Sequence, residues 1–257
     1  LAIADLDAGS ETARIYLAAS VSESELESAF ASEIAVKKEI EWSATEKRVK
    51  ARRLRKLGEI ILHDEPLELE GGEVVRALAE GIRRTGLHCL PWDKDAEHFR
   101  ARVQWARGLL PELPDLSDKA LEASVAEWLG PFLEGMWTLQ HLQRLKLTKI
   151  LCSRLSAHHL REIDRLAPSH LQVPSGSRIA IEYNASGHPV LSVKLQELFG
   201  LAETPRIVGG TIPVTIHLLS PAGRPLAVTQ DLRSFWQKIY PEIRKQLRAR
   251  YPKHPWP

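Results

Sequence analysis

Apolar and polar residues alternate in short runs near both ends of the chain and recur at helical spacing through its middle. Leu1 to Asp7 alternates loosely, and Ala13 to Ala19 is rich in strand formers, with Gly9 and Ser10 supplying a turn between them. Ser22 followed by Glu25 is a capping box, which predicts a short helix over SESELESAFASE with Leu26 and Phe30 inward. Ile34, Val36, Ile40 and Trp42 then fall at even spacing, the period of a half-buried strand. SATE makes a turn into KRVKARRLRK, and EIILHD reads as a further strand. A small closed or nearly closed barrel is the economical way to bury such strands. An oligonucleotide-binding (OB) barrel has five strands with a helix after the third. Only two strands precede the helix here, so an OB-like barrel over 1–70 implies a first strand upstream of Leu1.

Residues 71–168 read as helical. Val74, Val75, Leu78 and Ile82 form one apolar stripe, which Gly86 can close. Phe99, Val103, Ala106 and Leu110 form a second, stopped by Pro111 and Pro114. Ser117 can cap a third helix, with Leu121, Val125 and Trp128 inward and a stop at Gly130-Pro131. Short helices follow from Thr138 to Ala167.

Residues 169–257 return to strands and end in helices, as a small α/β domain with antiparallel hairpins. SRIAIEY and PVLSVKL flank NASGH, which predicts a hairpin with Gly187 at the tight position. TIPVTIHLLS and RPLAVT flank PAG as a second hairpin. DLRSFWQKIY and PEIRKQLRAR read as two helices, with Pro241 in the first turn of the second and Phe235, Ile239, Ile243 and Leu247 as the core face. Three prolines in seven residues keep the tail YPKHPWP from being helical. The fold class is therefore α+β.

Composition adds little to this picture. The 257 residues are 44% hydrophobic and 26% charged, with a mean hydropathy of −0.22, as expected of a globular chain. No apolar run approaches a membrane span, and the start lacks the features of a signal peptide. Two cysteines, Cys89 and Cys152, cannot build a disulfide framework, and a reducing cytoplasm is the simple reading. The chain does not begin with methionine, so Leu1 reads as a cut point in something longer. Charge is more informative. The net charge is only +2, yet residues 1–70 carry 10 Lys and Arg against 15 Asp and Glu, while 166–257 carry 11 against 5.

Catalytic signatures are absent: no GxxxxGK[ST], GxGxxG, GxSxG, HExxH or CxxC occurs. His63, Asp64 and Glu65 are adjacent on a strand and point to opposite faces, so they read as a solvated strand end. His158, His159 and Glu162 lie near metal-binding helical spacing but lack a further ligand at a known offset. Neither a catalytic residue nor a metal ligand is assigned.

Two basic clusters remain. Lys47, Arg48, Lys50, Arg52, Arg53, Arg55 and Lys56 put seven cations in ten residues. They are either a phosphate-contacting ribbon or a solvated edge strand, or a strand paired with Glu39, Glu41 and Glu46. Residues 233–256 hold Arg233, Lys238, Arg244, Lys245, Arg248, Arg250 and Lys253 against the single acid Glu242, interleaved with aromatics that include Trp236 and Tyr251. Cations among aromatics can contact phosphates and stack on exposed bases. Trp42, Trp92, Trp105, Trp128 and Trp137 read as packing residues.

The runs VPSGSRIAIEY, LQELFGLAETPRI, HLLSPAGRPLAVTQDLRSFW and YPEIRKQLRARYPKHPWP together resemble the C-terminal end of the bacterial HrpB-type ATP-dependent RNA helicases of the DEAH/RHA group. GIRRTGLHCLPW and LPDLSDKALEASVAEWLGPFLEGM resemble the same family's middle region, and Arg250–Pro257 (RYPKHPWP) is the most specific motif. The resemblance implies an OB-like barrel and a family-specific C-terminal domain that follow two RecA-like motor lobes. ATP and magnesium belong to those lobes, and none of the residues that bind them has a counterpart here. The expected function is non-catalytic: guidance of single-stranded RNA or DNA beside the motor lobes of the parent chain. The alternative is an interaction scaffold that clamps those lobes without touching nucleic acid.

Overall fold

The computed structural model describes residues 1–7, 14–68, 71–184 and 187–257. The turn expected at Gly9 and Ser10 lies outside them. Strand β1 (Ala2–Asp7) pairs antiparallel with β2 (Arg14–Ala19). Helix α1 (Glu23–Ala29) follows, and the capping box is present: the Glu25 amide donates to the Ser22 hydroxyl at 3.3 Å and the Ser22 amide to the Glu25 carboxylate at 2.7 Å. The helix fully buries no residue: Leu26 is half-buried, and Phe30 is exposed, contrary to its expected inward placement. The helix is held by its cap and by Arg55, which pairs with Glu27 at 2.5 Å.

Strands β3 (Ile34–Ser43), β4 (Arg48–Leu57) and β5 (Ile60–Pro66) form an antiparallel meander. β4 is the central strand, paired with β3 from Ile34↔Leu57 to Ser43↔Arg48 and with β5 from Arg52↔Pro66 to Leu57↔Ile60. The basic segment is therefore not an edge strand. Of the even-spaced apolar set on β3, Trp42 is buried and Ile40 half-buried, while Val36 is 63% exposed. The Trp42 end of the sheet is roofed, and Leu54 of β4 is buried as well.

The expected barrel is not closed. Among the described residues the β1–β2 hairpin and the β3–β4–β5 meander are separate sheets. Ile3, Ile15, Tyr16 and Leu17 on the hairpin are all exposed, so no shared apolar interior draws the two sheets together.

The roof over Trp42 is α2 (Gly71–Thr85), whose Val74, Leu78 and Ile82 are buried as the stripe predicts and whose end is marked by Gly86 at φ 94°. Gly81 sits directly on the indole: a Cβ there would lie 2.3 Å from Trp42 Cδ2. α3 (Lys94–Arg107), α4 (Asp118–Ala123), α5 (Val125–Trp128), α6 (Leu139–Leu142), α7 (Leu147–Ser153) and α8 (Ala157–Leu166) complete the helical part. Ser117 caps α4 as expected, accepting from the Ala120 amide at 3.3 Å. Arg102 on α3 is buried. Its Nε donates to the Ala167 carbonyl at 2.8 Å and its guanidinium pairs with Asp164 at 2.6 Å, tying α3 to the end of α8.

Beyond α8, β6 (His170–Gln172) pairs with β7 (Arg178–Ala180). β8 (Val190–Lys194) lies parallel to β11 (Thr215–Leu219), which pairs antiparallel with β12 (Pro225–Thr229). Between them β9 (Arg206–Ile207) pairs with β10 (Ile212–Pro213). The hairpin around PAG is as predicted. The one around NASGH is reduced to a single bridge, Glu182↔Val190, because β7 takes β6 as its partner and β8 takes β11. Gly187 does not adopt a left-handed φ.

The chain ends in α9 (Leu232–Ser234), a π-turn (Phe235–Ile239) and α10 (Tyr240–Arg250). The Tyr240 amide reaches back five residues to the Phe235 carbonyl. The π-turn adds a residue to the turn and shifts the core face, so Tyr240 is buried and Ile239 is 46% exposed, the reverse of the even helical reading. Pro241 falls in the first turn of α10, where its missing N–H costs nothing. One continuous apolar core runs from Trp42 through the helices to Trp256.

Two outcomes follow from these contacts. Gly81→Ala gains helix propensity of about 0.5–1 kcal/mol, but the clash with Trp42 outweighs it. A net loss of about 1–3 kcal/mol is expected in chemical denaturation. Asp115 accepts from the Ser117 amide at 2.8 Å and Gln104 Nε2 at 2.9 Å, bonds that pull its carboxyl down to about 2. Its contribution is full above the unfolded carboxyl range near 4 and is lost as pH falls toward about 2. Asp115→Asn should therefore destabilise at neutral pH, with the deficit disappearing in acid denaturation near pH 2.

Candidate nucleic-acid interface

The seven cations of the first cluster lie on or beside β4, and six of them face acids. Arg48 and Lys50 share Glu46, at 2.8 and 2.5 Å. The bond from Lys50 first, and the nearby Arg48 after it, hold the Glu46 carboxyl below its usual range. Arg52 reaches Asp64 at 3.1 Å, Glu41 at 3.7 Å and Glu39 at 3.9 Å. Arg53 pairs with Glu65 at 3.2 Å, Arg55 with Glu27 of α1 at 2.5 Å, and Lys56 with Glu59 at 3.4 Å. Among the described residues Lys47, in the turn before β4 at φ 53°, has no ion pair. The reason is register. Glu39 and Glu41 lie opposite Arg52 and Lys50 on β3, and Glu65 lies opposite Arg53 on β5.

At the near end of β4 the structure brings in Trp137, which the sequence reads as a packing residue. β5 pairs with β4 only from Arg52 onward, and Trp137–Leu139 fills the edge left bare before it. The Val49 amide donates to the Trp137 carbonyl at 2.9 Å, and the Leu139 amide to the Lys47 carbonyl at 3.1 Å. Trp137 is thus brought beside Arg48, Lys50 and Arg52, with Asp64 and Leu67, around an open hollow of about 450 Å³. No local signal could have paired positions 88 residues apart in sequence, 49 and 137.

The second cluster differs in kind. Arg233 pairs with Glu203, and Lys245 with Glu242 at 2.9 Å. Among the described residues Lys238, Arg244, Arg248, Arg250 and Lys253 have no acidic partner, and all but Arg244 are exposed. Arg250 lies over the Tyr251 ring at 5.8 Å, and Tyr251 is half-buried. Trp236 is half-buried too: its indole N–H donates to the Leu201 carbonyl at 2.7 Å, and its ring meets Phe235, Tyr240 and Phe199 at 5.2, 5.1 and 6.0 Å. The non-helical tail folds back, burying Trp256 against Phe199 at 6.3 Å.

The other candidates do not assemble a site. His63 Nε2 lies 3.8 Å from Glu65, while Asp64 is held by Arg52. The His158 and His159 rings are 6.1 Å apart on α8, and Glu162 is held by Arg165 at 2.7 Å. No cluster of three metal-ligating side chains occurs among the described residues. Cys89 and Cys152 are free and half-buried, and burial pushes both thiols up.

Comparison with known proteins completes the picture. The family described as ATP-dependent helicase C-terminal (HrpB_C) matches residues 128–257, which hold β6 to α10 and the whole second cluster. The chain belongs to that family. Its relative in Escherichia coli strain K12, named ATP-dependent RNA helicase HrpB, is 38% identical over 221 residues, covering 85% of this chain and 27% of the relative. The crystal structure of the E. coli DExH-box NTPase HrpB matches with a TM-score of 0.72 and 37% identity, over 99% of this chain and 32% of that one. That of the E. coli DEAH/RHA helicase HrpB matches at 0.65 and 36%, over 87% and 29%. The chain thus spans about a third or less of the length of these relatives. It corresponds to the C-terminal region of an HrpB-like ATP-dependent helicase.

The contrast between the two clusters has a direct readout in stability. Arg52→Gln leaves Glu39, Glu41 and Asp64 facing one another and should cost about 1 kcal/mol in denaturant unfolding, a deficit that shrinks as salt screens the acids. Arg248→Gln, with no partner to release, should leave the midpoint unchanged.

Proposed function

We propose that this chain is a non-catalytic guide for single-stranded RNA or DNA, working beside the motor lobes of its parent helicase. The lobes bind ATP and magnesium; this part holds no cofactor and steers the strand. The observation that carries this reading is the unpaired charge of the C-terminal helix and tail. A protein seldom leaves five neighbouring cations without acids unless the counter-charge comes from elsewhere, and a phosphate backbone supplies it without sequence preference. Arg244, Arg248, Arg250 and Lys253, with Trp236 and Tyr251 among them and Lys245 shared with Glu242, form the principal surface. Lys47, Arg48, Lys50, Arg52, Arg53, Arg55 and Lys56 act as a secondary one on the N-terminal meander, since the acids that pair with all but Lys47 must be displaced first. The described helices hold no segment long and apolar enough to cross a membrane, and a cytoplasmic setting suits such a task.

A second reading is favoured by a separate observation. Ile3, Ile15, Tyr16, Leu17, Val36 and Ile61 leave apolar surface bare on the N-terminal sheets. On that reading those sheets are a clamp for the motor lobes and the chain itself touches no nucleic acid.

Affinity for an oligouridylate, measured by anisotropy against salt, tests the proposal. Binding should weaken steeply with salt. The triple substitution Arg248→Gln, Arg250→Gln, Lys253→Gln should lower the slope of log affinity against log salt by about 2, at about 0.7 per lost contact. Neutralising Arg52, Arg53, Arg55 and Lys56 should weaken binding less. Binding that ignores salt, or ignores the triple substitution, would sink the reading.

A further inference from the structure

The π-turn before α10 does more than shift a hydrophobic face. It sets Tyr240 against Trp236, and on α10 Tyr240, Arg244 and Arg248 follow at successive steps of four, neighbours along one side of a helix. Beside the two rings is an open apolar hollow of about 360 Å³, lined by Phe199, Leu201, Ala202, Trp236, Tyr240 and Pro257. Its aromatic walls are fixed. Trp236 is anchored to the Leu201 carbonyl, the Tyr240 hydroxyl donates to the main-chain oxygen of Pro257 at 3.1 Å, and Phe199 packs within 6.0 Å of both rings.

No charged side chain lines this hollow; the cations stand on the turns of α10 that follow Tyr240. Arg244 and Arg248 follow Tyr240 one and two turns along α10, and their fields pull back part of the upward shift that burial gives its hydroxyl. Arg244 Nε is buried and has no hydrogen-bond partner among the described residues. The acids nearby are committed, Glu203 to Arg233 and Glu242 to Lys245. An apolar hollow walled by aromatic rings, with cations on the next turns of the helix, is complementary to a planar ring joined to an anion.

We infer that the hollow between Trp236, Tyr240 and Phe199 is a nucleobase-stacking subsite, with Arg244 and Arg248 receiving the phosphates that flank the stacked base. This rests on the reading of the chain as a single-strand guide and gives that reading a specific foothold. A nucleic acid fits better than an acidic peptide because its charges recur at regular intervals, each with a ring attached. The cations here do the same along α10 and on to Arg250 and Lys253. Stacking tolerates any base, so the subsite grips without reading sequence. Its chemical role is to stop the strand from sliding freely on a purely electrostatic surface.

The test compares two short strands of equal length and phosphate count, one carrying uracil bases and one abasic, binding to the 257-residue chain. The base-bearing strand should bind roughly tenfold more tightly, the size of a lost stack, with the same salt slope for both. A fluorescent adenine analogue placed in the strand should be quenched on binding. Trp236→Leu should erase the difference between the strands, and Arg244→Gln should weaken both. The abasic arm needs no change to the protein, so misfolding of Trp236→Leu cannot decide the matter. Equal, salt-sensitive affinity for the two strands with no quenching overturns the stacking subsite and leaves the guide reading standing. No salt-sensitive binding of either strand overturns both. Displacement of the analogue by an acidic, phenylalanine-bearing peptide that binds more tightly than the strand assigns the hollow to a protein partner and overturns the proposal.

Discussion

The joining of the N-terminal meander to the helices depends on a short stretch of otherwise unpaired backbone. β5 stops pairing at Arg52, so the edge of β4 from Lys47 to Val49 would present free N–H and C=O groups. Leaving such groups buried and unsatisfied costs about 1–3 kcal/mol each. Trp137–Leu139 satisfies them from the helical region, and Trp42 drops into the notch that Gly81 leaves on α2. These two contacts weld the meander to the helices. They also carry Trp137 to the basic strand, a juxtaposition that serves packing first and leaves an open hollow as a consequence.

The rest of the N-terminal sheet depends on its charges being matched across strands. A strand with six cations can be central only if its neighbours bring acids in register, and β3, β5 and α1 do so. Screened surface pairs of this kind add little stability each. Their effect is to let a highly charged strand occupy the middle of a sheet without self-repulsion. The same pairing lowers the availability of those cations to any outside anion.

The C-terminal end follows the opposite logic. Its aromatics form a tight cluster around Phe199, and the π-turn is what lets Trp236, Tyr240 and the returning Trp256 all reach that cluster. With the apolar face so arranged, the cations of α10 are left on the solvent side with few acids to meet. The shortage of acids in 233–256 was visible in the sequence; the fact that the acids present are already taken by Arg233 and Lys245 was not.

The sequence by itself determined the locally encoded features. The capping box at Ser22, the buried stripes of α2 and α3, the cap at Ser117, the hairpin around PAG and the position of Pro241 all follow from spacing and residue type within one or two turns of chain. So did the family, through the specificity of the terminal motif. Only the tertiary structure decided that β4 is central, that the strands stay as two sheets, that β8 runs parallel to β11, and that Tyr240 replaces Ile239 in the core. Each of these is a choice of partner made across tens of residues or a one-residue shift in helical register. Hydrophobic periodicity fixes which face of an element turns inward, but not which distant backbone edge or side chain it will meet there.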